Sequence, residues 1–141
     1  MPPEARLSET EIAALHETLD DEYKSRETYA QVIRDFGELR PFINIVDAEG
    51  RHVNALLGVF QRYGVTPPAN RWAGGKAPRF ASFHEACVES VKGEIDNVAI
   101  YDRALQSTRR TDILSVYEAL RSASQDRHLP AFRRCVERAS R

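Results

Sequence analysis

Ala48-Glu49-Gly50-Arg51-His52 lies in the middle of a helical run from about Pro41 to Tyr63. Glu49 and His52 are three residues apart and so share a helix face. That face is otherwise apolar, because Ile45, Leu56 and Val59 or Phe60 recur with them at helical spacing. A carboxylate and an imidazole on a core-facing stripe are costly to bury without a partner. A metal ion is one such partner, provided that other helices bring matching ligands.

Working outward, three more helical seams emerge. Residues 1–7 read as a short disordered lead, and Ser8 with Glu11 forms a capping box. Ile12, Leu15, Leu19, Glu22, Arg26, Tyr29, Ile33 and Phe36 then hold one seam over 8–36, which Gly37 closes. The second helix spans 41–63 and stops at Gly64. A third, over about 81–107, carries Cys87, Val91, Glu94, Val98, Tyr101 and Leu105. A fourth, 112–139, carries Leu114, Tyr117, Leu120, Ser124 or Gln125, His128, Phe132 and Cys135. Pro130 frees the carbonyl of Asp126, so a kink is expected around His128.

Between helices 2 and 3, residues 65–80 hold three prolines, two glycines and Trp72 without periodicity. That is long for a connection inside a compact domain. A crossover along the length of a bundle explains it. A linker between two independent hairpins is the weaker alternative, because neither hairpin alone buries its stripe. The expected architecture is all-α: one domain, an antiparallel four-helix bundle with a single long crossover.

Counting residues from the inter-helix turns places the polar interruptions at one level. Glu22 lies about 16 residues before the first turn and Glu49 and His52 about 12 after it, while Glu94 and Gln125/His128 each lie about 16 from the second. At roughly 1.5 Å per residue, hairpin partners differ by only about one helical turn. Glu22, Glu49, His52, Glu94 and His128 therefore converge near mid-bundle. Cys87 and Cys135 fall at matching heights and read as two small apolar fillers in contact, suited to a reducing compartment.

Composition excludes several classes. The formal net charge of −1 gives no electrostatic case for nucleic acid or an anionic membrane. No apolar run approaches the roughly 18 to 20 residues of a membrane span, and Met-Pro-Pro-Glu-Ala-Arg is no signal peptide. A cytoplasmic location is expected. With 42% hydrophobic and 29% charged residues, the chain suits a soluble packed domain.

The four motifs in order resemble those of rubrerythrin-type ferritin-like domains: Glu22-x-x-x-Arg26-x-x-Tyr29, Glu49-x-x-His52, Glu94-x-x-Asn97-x-x-x-Tyr101 and Gln125-x-x-His128. The resemblance covers about residues 8–136. It is nearer to an uncharacterised group of bacterial and archaeal ferritin-like domains (domain of unknown function 2202), which similarly lacks a carboxylate three residues before the last histidine. The resemblance implies a carboxylate-bridged pair of metal ions, usually iron, reacting with O₂ or H₂O₂. By position, Glu22, Glu49 and His52 would hold one ion and Glu94 and His128 the other, with Glu49 bridging. Gln125 stands where a second bridging glutamate is expected, and Asn97 where rubrerythrins place another. The expected cofactor is therefore two irons, or one if Gln125 prevents bridging, with zinc or manganese as alternatives. Gln125, Asn97, Arg26, Tyr29 and Tyr101 are weak ligands or outer hydrogen-bonding groups in this scheme.

Each residue also has a plainer reading. Glu22 pairs with Arg26 on an ordinary helix, His128 is a core histidine, and Tyr29 and Tyr101 pack. His16 and His84 lie far from the site level. Two functions follow: a di-metal oxidoreductase of ferroxidase or peroxidase type, served by a separate electron-donor protein, or a non-catalytic helical scaffold with a buried polar network. A symmetric homodimer suits either.

Overall fold

The computed structural model describes residues 6–139. Its helices are α1 (Glu9–Phe36), α2 (Phe42–Tyr63), α3 (Phe83–Ala104), α4 (Thr111–Ala123) and α5 (Leu129–Ala139), with a π-helical turn (Ser124–His128) fusing the last two into one rod. Four rods pack as an all-α bundle, and no strand occurs among the described residues. No helix is long and apolar enough to cross a membrane.

The helix ends follow from local chemistry. Ser8 and Glu11 exchange side-chain and backbone hydrogen bonds at the start of α1, the Ser8 hydroxyl accepting from the Glu11 N–H at 3.1 Å and Glu11 accepting from the Ser8 N–H at 2.8 Å. Gly64 closes α2 at φ 66°, a left-handed conformation that favours glycine. Residues 1–5 of the expected lead lie outside the described residues, whereas Leu7 is buried and joins the core.

Within each hairpin the rods are antiparallel, but α2 and α3 run parallel. Phe42 and Phe83, at the starts of α2 and α3, have ring centroids 5.6 Å apart, so these two helices begin at the same end. At the other end, Arg62 and Tyr63 close α2 by donating to Asp112 at the start of α4, each at 2.8 Å. The connection 64–82 must therefore run the length of the bundle. It does so along α1, where Arg71 forks onto Asp20 (2.7 and 2.9 Å) and Arg79 onto Asp35 (2.7 and 3.1 Å). Trp72 also donates to Asp20 at 3.2 Å, beneath the guanidinium of Arg71.

Two apolar clusters fill the interior. One holds Leu15, Leu19, Leu56, Phe60, Tyr101 and Tyr117; the other holds Tyr29, Phe42, Ala86, Cys87, Phe132 and Cys135. In every rod, buried polar residues (Glu22 in α1, Glu49 and His52 in α2, Glu94 and Asn97 in α3, Ser124 and His128 in the fourth) lie between the residues contributed to these clusters. Burial of both clusters drives folding at about 25 cal/mol per Å² of apolar surface, and it leaves a polar belt at mid-height.

Two expectations are corrected. Cys87 and Cys135 are not a pair of packed thiols but a disulfide joining α3 to α5, with Cα atoms 5.7 Å apart. The matched heights that bring the sulfurs into contact also allow them to bond, and the argument for a reducing compartment lapses. The interruption at Pro130 takes the form of a π turn rather than a simple kink. Proline has no N–H to offer the Asp126 carbonyl, and the Leu129 N–H bonds to the carbonyl of Ser124, five residues back. One extra residue is thereby accommodated. Ser124 turns inward, fully buried, and Gln125 turns out to solvent.

Candidate metal centre

Every rod contributes to the belt because each seam carries an ionisable residue at mid-height. Glu22 comes from α1, Glu49 and His52 from one face of α2, Glu94 from α3 and His128 from the π turn. Two groups result, Glu22–Glu49–His52 and Glu49–Glu94–His128, each with one ligand atom per residue lying within 4.8 Å of the others. Glu49 belongs to both. The two imidazoles stack, with centroids 5.4 Å apart and planes inclined by 15°.

Both histidines present Nδ1 to a pair of carboxylates. His52 Nδ1 lies 3.0 Å from Glu22 Oε2 and 3.7 Å from Glu49 Oε2. His128 Nδ1 lies 2.8 Å from Glu94 Oε1 and 3.2 Å from Glu49 Oε1. A single ring nitrogen carries one proton or one lone pair, so it serves one carboxylate and leaves the other. Glu49 is the one left: neither of its oxygens, nor Oε2 of Glu94, makes a hydrogen bond, although all are buried. Unpaired buried carboxylate oxygens are costly. A cation at each convergence of one nitrogen and two carboxylates relieves that cost. The donors, carboxylate oxygen and imidazole nitrogen, suit iron, manganese or zinc.

Burial and mutual repulsion shape the protonation states. Burial pushes the Glu49 carboxyl well above the usual range, and the charges of Glu22 and Glu94 add to it. Burial would raise Glu22 as well, but the neighbouring Glu49 carboxyl, His52 and Asn97 outweigh it and hold Glu22 at about 2. Burial raises Glu94, with His128 opposing. Without a cation, then, Glu22 is ionised and Glu49 holds a proton.

An outer layer of hydrogen bonds serves Glu22. The Asn97 amide donates to Glu22 Oε1 at 2.9 Å and to Asp21 Oδ2 at 2.7 Å, and its carbonyl accepts from Ser124 Oγ at 2.6 Å. Tyr101 donates to Glu22 Oε1 at 3.1 Å. Such partners fix the orientation of a ligand. Burial raises Asp21 to about 7, an effect that the Asn97 hydrogen bond opposes and the Glu22 charge augments.

Several expected site residues lie elsewhere. Gln125 is exposed and does not reach the centre. Arg26 contacts Glu27 at 3.8 Å and lies over the Tyr23 ring, so it clamps no carboxylate of the belt and is not the partner of Glu22. Tyr29 packs between the rings of Phe42 and Phe132. His16 rests near Phe60 and His84 is exposed, both away from the belt. One belt residue had been overlooked: Asp21, which sits about 100° round the helix from Glu22, signalled only by the acidic run Asp20-Asp21-Glu22. Of the two seam alternatives Ser124 and Gln125, the fold buries Ser124.

A family model for an uncharacterized protein domain, DUF2202, matches residues 11–141, a span that includes every residue of the belt. The chain belongs to this family. The uncharacterized protein MJ0754 of Methanocaldococcus jannaschii is 27% identical over 148 residues, covering 95% of this chain and 79% of that protein. The crystal structure of hypothetical protein MJ0754 superimposes with a TM-score of 0.86 at 23% identity, over 99% of this chain and 87% of that one. A conserved hypothetical protein of Mycobacterium tuberculosis, Rv2844, gives 0.78 at 15% identity over 91% of each chain. These two structural likenesses speak to the fold.

Proposed function

We propose that this DUF2202 protein is a ferritin-like metal protein. Glu22, Glu49 and His52 would hold one ion, Glu49, Glu94 and His128 a second, and Glu49 would serve both. The observation that carries this reading is Glu49 itself, wholly buried between two imidazoles with no hydrogen bond to either oxygen.

Bound iron would supply the electron-transfer chemistry that Fe(II) oxidation or the reduction of O₂ or peroxide requires; zinc or manganese fits the same donors. The chain's own part is preparation. Glu22 stands ionised, with Oε1 tied to Asn97 and Tyr101 and Oε2 facing His52. Glu49 would give up its proton to a bound cation, and its two oxygens face His52 and His128. His52 and His128 present Nδ1, and the apolar clusters above and below exclude bulk water. Reducing equivalents would come from a separate donor protein. With Gln125 outside, three carboxylates face two divalent ions, so the second ion binds less tightly than the first.

One observation favours a second reading. His52 and His128 already hydrogen-bond Glu22 and Glu94 without a cation, as a purely structural network would. Loading with Fe(II) under anaerobic conditions, desalting and elemental analysis separates the two. About two irons per chain, lost in Glu49→Ala, together with near-ultraviolet absorbance on exposure to air, supports the metal protein. No bound metal, with thermal stability indifferent to chelators, would leave the structural network.

A further inference from the structure

A cleft of about 740 Å³ opens where the α1–α2 connection meets the π turn and α5. Four arginines line it: Arg40 from the connection, and Arg127, Arg134 and Arg138 from the opposite wall. No aspartate or glutamate is among its lining residues. Several arginines elsewhere are matched with acids: Arg62 with Asp112, Arg71 with Asp20, Arg79 with Asp35 and Arg121 with Asp102. The four in the cleft have no such partner among the described residues. Arg134 and Arg138 stand one turn apart, where like charges disfavour the helix.

The shape of the cleft narrows the occupant. Its volume falls within the range of small-molecule sites, and Ile45 and Phe83 give it apolar wall. A concave cleft with guanidiniums on facing sides suits a compact molecule better than a flat protein surface. The guanidinium fork matches phosphate and carboxylate, which accept two parallel hydrogen bonds. We propose that this cleft binds a small organic anion bearing phosphate or carboxylate groups on an apolar body. His128 also lines the cleft, so the occupant lies against the outer side of a metal-centre ligand. The site is formed by the polypeptide alone and does not require a bound metal.

Calorimetric titration of the metal-free full chain with 1-naphthyl phosphate, inorganic phosphate and citrate tests the proposal. Binding of one anion per chain is expected, with naphthyl phosphate tighter than inorganic phosphate; citrate against phosphate separates the two headgroup chemistries. Arg134→Ala should weaken binding by about tenfold or more. Arg133→Ala is the matched control. It removes the same charge from the next position of α5, but Arg133 lines a different hollow with Ile95 and Gln125, so binding should stay within about twofold of wild type. Both positions are exposed, and far-ultraviolet circular dichroism confirms that both variants fold. Saturable binding by none of the three probes would overturn the proposal. So would equal weakening by the two variants, which would reduce the effect to diffuse charge.

Discussion

Replacing Glu49 with glutamine should strengthen the metal-free protein and weaken the metal-loaded one. The carboxyl has an ordinary value of 4.5 and is pushed well above it in the fold, first by burial and then by Glu22. The folded state thus keeps a proton that the unfolded chain releases. Stability from this group is fully present below about pH 4.5 and is lost as pH rises toward the folded value. The loss accumulates at no more than about 1.4 kcal/mol per pH unit across that window. Glutamine has nearly the same shape and no proton to lose, so its advantage over wild type should grow from about pH 5 to pH 7. Metal reverses the order. A cation at a thousandfold excess over its Kd stabilises the native state by about 4 kcal/mol, and the variant forfeits most of that. The assay is urea unfolding of both proteins from pH 5 to pH 8, with chelator and with Zn(II). Parallel stability–pH curves in chelator would refute the argument that Glu49 is forced to hold a proton.

Other expectations follow from the same geometry. Gln125→Glu should leave metal content unchanged, because the side chain points to solvent; a rise in bound metal by elemental analysis would contradict that placement. Ser124→Ala removes the donor to the buried Asn97 carbonyl and should cost about 1–3 kcal/mol in urea unfolding, with no change in metal stoichiometry. The oxidised protein should show no free thiol on titration, and reducing the Cys87–Cys135 bond, which spans 48 residues, should lower stability by about 4 kcal/mol on the chain-entropy account. Calorimetry in buffers of different ionisation enthalpy should show proton release with the first ion, because Glu49 holds a proton that a cation must displace; no release would count against that protonation state.

Much of the bundle is legible in the seams. Glu22, Glu49, His52, Glu94 and His128 interrupt apolar stripes at heights that counting alone makes equal, and Gly37, Gly64 and the irregular stretch 65–80 divide the helices. Residue counting leaves neighbours of one face undecided. Ser124 and Gln125, four and three residues before His128, both fit a 3.6-residue repeat, and the fold buries Ser124 and exposes Gln125. Partner choice across helices is equally hidden. Nothing in the sequence says that Asn97 would span Asp21, Glu22 and Ser124 rather than face an ion, or that Arg26 would turn toward Glu27. The cysteines illustrate the same limit, since equal height brings two sulfurs together without saying whether they bond.

The hydrogen bonds around the belt are unequally shared, and the inequality locates the need for a cation. Asn97 and Tyr101 satisfy one oxygen of Glu22 and His52 the other. Ser124, from the π turn of the fourth rod, in turn holds Asn97. Glu94 has a single partner, His128, and keeps one oxygen without a hydrogen bond. Glu49 has none. A polar core selected only for helix register has no reason to complete one carboxyl and strip another bare a few ångströms away, since leaving a buried acceptor unpaired costs about 1–3 kcal/mol. The arrangement becomes economical once the stripped group is the one that two cations share: the first half is held rigid and charged, the second stays adaptable, and Glu49 remains uncommitted until the ions arrive.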